Sequence, residues 1–164
     1  MGVAMSNYEQ SYLGQLRQLI GKQKIFAITA RAIVRDDEGW VLLVQRTDNR
    51  QWVMPAGSME LEESILETCQ REVYEESGLI VESATLIAVY SNPRYSFVTT
   101  YGDPYQMISF VFWVDRWAGD LQTKTDETLD AQFFPLNDLP SNINPLYLET
   151  LEDLAQFDGT VIVK

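Results

Sequence analysis

The chain has no histidine and a single cysteine, Cys69, in 164 residues. Without imidazole there is no Ser-His-Asp or Cys-His relay and no histidine-based zinc site, and one thiol cannot build a thiolate zinc cage or an internal disulfide. A lone cysteine also fits a reducing compartment. Long apolar runs are missing too, and "MGVAMSNYEQ" lacks the basic and apolar regions of an export signal. These absences predict a cytoplasmic protein with no membrane contact. Gly2 matches an acylation signal only loosely and has no polybasic companion, so the first residues read as an expression remnant or a frayed end.

Cations are scarce: 12 Lys and Arg stand against 24 Asp and Glu, a net charge of −12. That balance argues against a nucleic-acid polymer as partner, because phosphate backbones are held by clustered basic residues. With histidine absent as well, any catalysis must rest on carboxylates. From Glu60 to Glu76 there are seven glutamates and one arginine, so about a tenth of the chain supplies half of the excess charge.

At 46% hydrophobic residues, the chain is long enough for one compact domain with a sizeable core and too short for two. "YLGQLRQLIG", 12 to 21, has helical spacing and a glycine stop. "IFAITARAIVRDDEGWVLLVQR", 25 to 46, predicts two strands joined as a hairpin at Asp36 to Gly39. Glu62 to Ser77 is the strongest helix, stopped by Gly78. Residues 79 to 90 and 106 to 115 read as strands, the second apolar enough to be covered on both faces, and "AQFFPL" as a last strand. "NPLYLETLEDLAQF" reads as a C-terminal helix with Pro145 at its start. The order of elements predicts the α/β class, with one mixed sheet between helices.

On the helix from Glu62, Ile65, Leu66, Cys69 and Val73 fall within an arc of about 100°, the width of a core-facing stripe. Cys69 is therefore expected in the core, not as a nucleophile. Glu72, Glu75 and Glu76 occupy a neighbouring arc at the rim of that stripe, near a helix C-terminus where carboxylates are unfavourable. A solvated surface is the ordinary explanation of an acidic helix. Arg71, however, is the one cation within reach, able to pair with Glu67 or Glu75, which leaves Glu72 and Glu76 without a basic partner on the helix. A bound divalent cation would supply the missing charge. Carboxylates with a nearby carbonyl, such as that of Gly57, make a hard oxygen site suited to Mg²⁺, with Mn²⁺ as a substitute, and suggest hydrolysis of a phosphoanhydride.

"GSMELEESILETCQREVYEESGL" resembles the Nudix box, G-x5-E-x7-R-E-U-x-E-E-x-G-U, in which U is aliphatic. Gly57, Glu63, Arg71, Glu72, Val73, Glu75, Glu76, Gly78 and Leu79 fill every defined position. The departures are Ala56 in place of a second lead-in glycine and Glu62 in place of the glycine before the box glutamate. Neither removes a ligand. The resemblance implies a Nudix-type α/β/α sandwich with a mixed β-sheet and the box as a loop-helix-loop. Its expected bounds are an N-terminal helical extension over 1–24, a hydrolase domain over 25–140, and a C-terminal helix of the same domain over 141–164. It further implies metal-dependent cleavage of a nucleoside diphosphate linked to another moiety, such as ADP-ribose or another nucleotide sugar, or of a nucleoside triphosphate. Glu72, Glu75 and Glu76 would be metal ligands with the Gly57 carbonyl, Arg71 would hold the glutamates, Glu63 would be an outer-sphere or second-metal group, and Glu75 is the first choice of general base. A homodimer is compatible with the resemblance, and a nucleotide-binding module without turnover is the alternative function.

Outside the box, Arg46 reads either as a neutraliser of substrate phosphate or as part of a surface salt bridge. Asp126, Glu127 and Asp130 read as an ordinary polar turn in preference to an additional acid for metal or base. The loop from Ser91 to Tyr105 carries Arg94, Tyr95, Phe97, Tyr101 and Tyr105, a set that fits stacking on a base and holding a phosphate as well as it fits packing or a subunit contact.

Overall fold

The computed structural model describes residues 7–164; Gly2 and the reading of the first residues lie outside this range. A short helix α1 (Asn7–Gln10) and α2 (Tyr12–Ile20) lead into β1 (Ile25–Ile33) and β2 (Val41–Arg46). Next come β3 (Trp52–Val53), β4 (Ala56–Ser58), α3 (Ile65–Ser77) and β5 (Ile80–Tyr90). A 3-10 turn at Pro93–Tyr95 precedes β6 (Ser96–Val98), β7 (Pro104–Ala118), β8 (Thr128–Phe134), α4 (Pro145–Gln156) and β9 (Ile162–Val163).

The strands form the expected mixed sheet and, beside it, a second sheet. One is mixed, in the order β4-β1-β7-β5-β9 with β6 paired to β7, and the other is antiparallel, β3-β2-β8. The predicted hairpin survives only at its turn, where Asp36 N donates to Trp40 O and Leu42 N to Val34 O. Beyond it the strands diverge, because both edges of β1 are already taken, by β7 in parallel and by β4 antiparallel. β2 therefore pairs with β3 and β8.

Val34, Val41, Leu42, Leu43 and Val44 from the turn region and β2 meet Cys69 and Val73 of α3 and Ile87 of β5 in one fully buried core. Burial of this aliphatic surface is the main force holding sheets and helix together. Strand β7 is longer than expected and not covered on both faces, since Trp113 is exposed on it. Leu66 likewise stands at the margin of the core stripe, partly exposed. At the other end Leu13 of α2 packs with Ala27 and Tyr105, while the buried Arg17 donates to Tyr105 Oη and to the carbonyls of Gly21, Gln23 and Pro104. That clamp fixes α2 against the parallel strands.

Helix α3 begins three residues later than its acidic run suggests. Ser64 is its N-cap, its hydroxyl accepting from Glu67 N while Glu67 accepts from Ser64 N in a complete capping box. Gly78 ends the helix in the left-handed region, its N–H on Tyr74 O. Glu62 falls in the preceding turn with φ of 67°.

Candidate active site

Edge strand β4 and helix α3 face each other across the candidate site. Ala56 N donates to Glu76 Oε2 at 3.0 Å, and Arg71 Nη2 donates to Ser58 O at 3.0 Å, so backbone and helix are tied at both ends of the strand. Gly57 lies between them, against the carboxylate of Glu72. The start of β8 closes a third side, where Thr128 Oγ1 donates to Glu76 O at 3.0 Å.

Arg71 gathers the acids. Its Nε and Nη2 grip Glu63 at 2.5 and 3.0 Å, and its Nη1 reaches Glu72 at 2.7 Å and Glu75 at 3.0 Å. Its helical partner is thus Glu75 and not Glu67, which the capping box has already engaged, and Glu72 is not left without a cation. Glu63 also accepts from Glu60 N and Thr68 Oγ1, and this full set of donors, Arg71 first among them, holds its carboxyl down at about 2.

The opposite force acts one turn along the helix. Glu72 and Glu76 are 8% and 7% exposed, and burial pushes the Glu72 carboxyl up to about 7 despite Arg71 beside it. Burial, then the neighbouring Glu72, drives Glu76 well above the usual carboxylate range. Two buried carboxylates side by side disfavour ionisation unless a cation joins them.

One oxygen each from Glu72, Glu75 and Glu127 lies within 4.8 Å of the others. Glu127 was expected to belong to a polar turn; instead it faces the α3 glutamates, and burial followed by Glu75 raises its pKa. Asp126 lines the same cleft. Asp130 does not reach it, accepting from Ala131 N and Gln132 Nε2. Converging hard oxygens, partly buried and short of positive charge, fit a divalent cation such as Mg²⁺.

These acids line a cleft of about 870 Å³, and a second cleft of about 820 Å³ adjoins it. Arg46, Asp48, Ala56, Gly57 and Ser58 border both. Arg46 is held by Asp48 through paired bonds of 2.8 and 2.9 Å, so the salt bridge exists, and it stands at the junction of the clefts. Arg94 pairs with Glu149 at 2.6 Å and stacks on Tyr95. Tyr95 is buried, stacked on Tyr90, with its hydroxyl donating to Glu149. The aromatic loop therefore divides: Tyr95 and Tyr105 pack, Tyr101 is exposed, and Phe97 is left partly exposed in the second cleft.

Residues 26–154 match the model of the NUDIX domain. The chain belongs to the NUDIX domain family. It is 35% identical over 118 residues to an ADP-ribose pyrophosphatase of Methanocaldococcus jannaschii, covering 70% of this chain and 64% of that one. It is 34% identical over 116 residues to an 8-oxo-dGDP phosphatase of Mus musculus, covering 67% of this chain and 32% of that protein. The chain thus spans under two thirds of the length of these curated relatives. Among solved structures, the MutT protein of Methanosarcina mazei superposes with a TM-score of 0.67 at 20% identity, over 82% of this chain and 96% of the other. At that identity the likeness establishes the NUDIX fold. No helix among the described residues is long and apolar enough to cross a membrane.

Proposed function

We propose that this NUDIX chain hydrolyses a phosphoanhydride bond in a nucleoside diphosphate linked to another moiety, with Mg²⁺ as its cofactor and Mn²⁺ as a substitute. The observation that carries this reading is the meeting of the Glu72, Glu75 and Glu127 oxygens in a cleft that adjoins a second one. Glu72, Glu75 and Glu76, with the Gly57 carbonyl and with Glu127 opposite, are the residues that would hold the ion. When bound, the cation neutralises these acids and draws charge from phosphoryl oxygens.

The chain's own groups do the rest. Arg71 fixes the directions of Glu72 and Glu75 and keeps Glu63 ionised beside them. Arg46, at the junction of the clefts, is placed to face a diphosphate lying across it. Glu75, with 41% of its side chain exposed, is the most open of the three α3 acids and is our choice as the group that takes a water's proton. The relatives act on ADP-ribose and 8-oxo-dGDP by name, and a small nucleotide of that kind is the proposed substrate class. A nucleic-acid polymer fits the acidic surface poorly. We read residues 1–24, 25–140 and 141–164 as extension, hydrolase core and C-terminal helix of one domain.

The test is Mg²⁺-dependent product release from a panel of ADP-ribose, nucleotide sugars and nucleoside di- and triphosphates, by the parent and by Glu76→Gln. Turnover by the parent and its loss in the variant are expected. Full turnover by the variant would place the site elsewhere. A panel that raises the melting temperature without any product release would make the chain a binding module.

A further inference from the structure

Four buried side-chain polar atoms among the described residues lack a hydrogen-bond partner: Thr29 Oγ1, Arg31 Nε, Arg35 Nε and Ser109 Oγ. Three of them share one patch. Thr29 and Arg31 are two apart on β1 and so face the same way, and Ser109 stands opposite Thr29 in the parallel β1–β7 register. Thr29 and Arg31 line the second cleft.

Arg31 is unusual among the arginines of that cleft. Arg46 is paired with Asp48 and Arg94 with Glu149, whereas among the described residues no carboxylate lies within ion-pair distance of Arg31. It is 2% exposed; its Nη1 donates to Thr150 Oγ1 at 2.7 Å and its side chain also interacts with the Tyr147 hydroxyl, while its Nε has no partner. Two rings sustain the charge: its guanidinium carbon lies 4.5 Å from the centroid of Tyr147 and 5.7 Å from that of Tyr90. A buried cation with spare N–H groups is costly in the empty protein and becomes favourable when an acceptor arrives.

We propose that Arg31 and Thr29 form a base-reading floor that takes the oxo edge of a guanine-type purine in preference to adenine. The guanidinium can only donate. Guanine presents two adjacent acceptors, N7 and O6, to such a fork, while adenine puts an amino donor beside its N7. The hydroxyl of Thr29 can donate to the same edge. Phe97, Met107 and Tyr147 supply apolar flanks suited to a planar ring, which a phosphate would not use. The assignment rests on the proposed hydrolase reading in placing a diphosphate in the adjoining cleft, since Ala56 and Gly57 border both.

GMP and AMP carry no anhydride, so their binding with Mg²⁺ present is read by calorimetry without turnover. The expected result is that GMP binds about tenfold more tightly than AMP, as one bidentate base contact allows. Arg31→Lys keeps the charge but loses the fork, and with Arg31→Met and Thr29→Val it should bring GMP toward the AMP value. Melting of the ligand-free variants checks their folding, and Arg31→Met should melt no lower than the parent, because it removes a buried, unpaired charge. Equal binding of GMP and AMP, failure of both to bind, a preference that survives in folded Arg31→Lys, or displacement of both nucleotides by inorganic phosphate alone would each overturn the assignment. A chain that discriminates GMP from AMP yet cleaves nothing would sink the hydrolase reading and leave this one standing.

Discussion

Gly57 and the carboxylate of Glu72 are in such close approach that a β-carbon at position 57 would overlap the carboxylate carbon and both of its oxygens. The backbone of Gly57 has no left-handed φ, so the position demands space and not conformational freedom. Gly57→Ala should therefore leave β4 paired with β1 and push Glu72 out of the acidic cluster. The expected outcome is a loss of about a hundredfold in kcat/KM from misplacement on the scale of an ångström, with little change in melting temperature. Unchanged Mg²⁺-dependent turnover would mean that the position of Glu72 is irrelevant to the chemistry.

The acidic turn before β8 offers a comparison within one short segment. Glu127 meets Glu72 and Glu75, Asp126 lines the cleft without joining that group, and Asp130 is spent on Ala131 N and Gln132. Glu127→Gln should lower kcat by about a hundredfold, within the range for losing one group that handles charge or a proton at the reacting centre. Asp130→Asn should leave turnover unaffected, and Asp126→Asn should fall between them. Kinetics of the three variants at saturating Mg²⁺ decide this; equal rates for Glu127→Gln and Asp130→Asn would return Glu127 to an ordinary turn.

The difference between Glu127 and the α3 glutamates shows which parts of the site can be read from sequence. Glu72, Glu75 and Glu76 share a side with Cys69 and Val73 through helical periodicity, which is local. Glu127 arrives some fifty residues later through the return of β8, with Thr128 bonding Glu76 O, and no spacing rule reports such a contact. The same limit applies to the strands: the turn at Asp36 to Gly39 is visible, but β1 and β2 separate because β7 and β8 claim them. Arg71 reaches Glu63, outside the helix, while Glu67 caps it, and a helical i±4 rule cannot see either choice. β9 pairs only two residues with β5, too short a segment for a pattern.

Glu62 occupies a left-handed turn at φ of 67°, two residues before the N-cap of α3. A side chain there costs roughly 1–2 kcal/mol relative to glycine, while glycine loosens the unfolded chain by about 0.4–1 kcal/mol in the opposite direction. Glu62→Gly should thus stabilise the protein by about 0.5–1 kcal/mol net. Glu62→Val, β-branched, should destabilise it. Midpoints of urea unfolding for the three proteins test the order, and a parent more stable than Glu62→Gly would show that the Glu62 side chain makes a compensating contact.

Burial raises the carboxyls of Glu72, to about 7, and of Glu76 and Glu127, so that in chelator the folded protein binds more protons than the unfolded chain above the ordinary carboxylate range. Stability must then fall as pH rises from about 4.5 toward 7 and beyond. For Glu72 alone the loss over that interval is on the order of 3 kcal/mol. Glu63 acts in the other sense, but its carboxyl sits at about 2, so its contribution fades only as pH falls below the ordinary carboxylate value and is constant in this window. Melting in chelator between pH 4.5 and 7.5 should show a declining temperature, and Glu72→Gln should flatten the decline and melt higher than the parent at pH 7.5. Saturating Mg²⁺ should reverse the trend, because the ion binds the ionised carboxylates and competes with their protons. A melting temperature that climbs with pH in chelator would show that these glutamates are ionised without a cation.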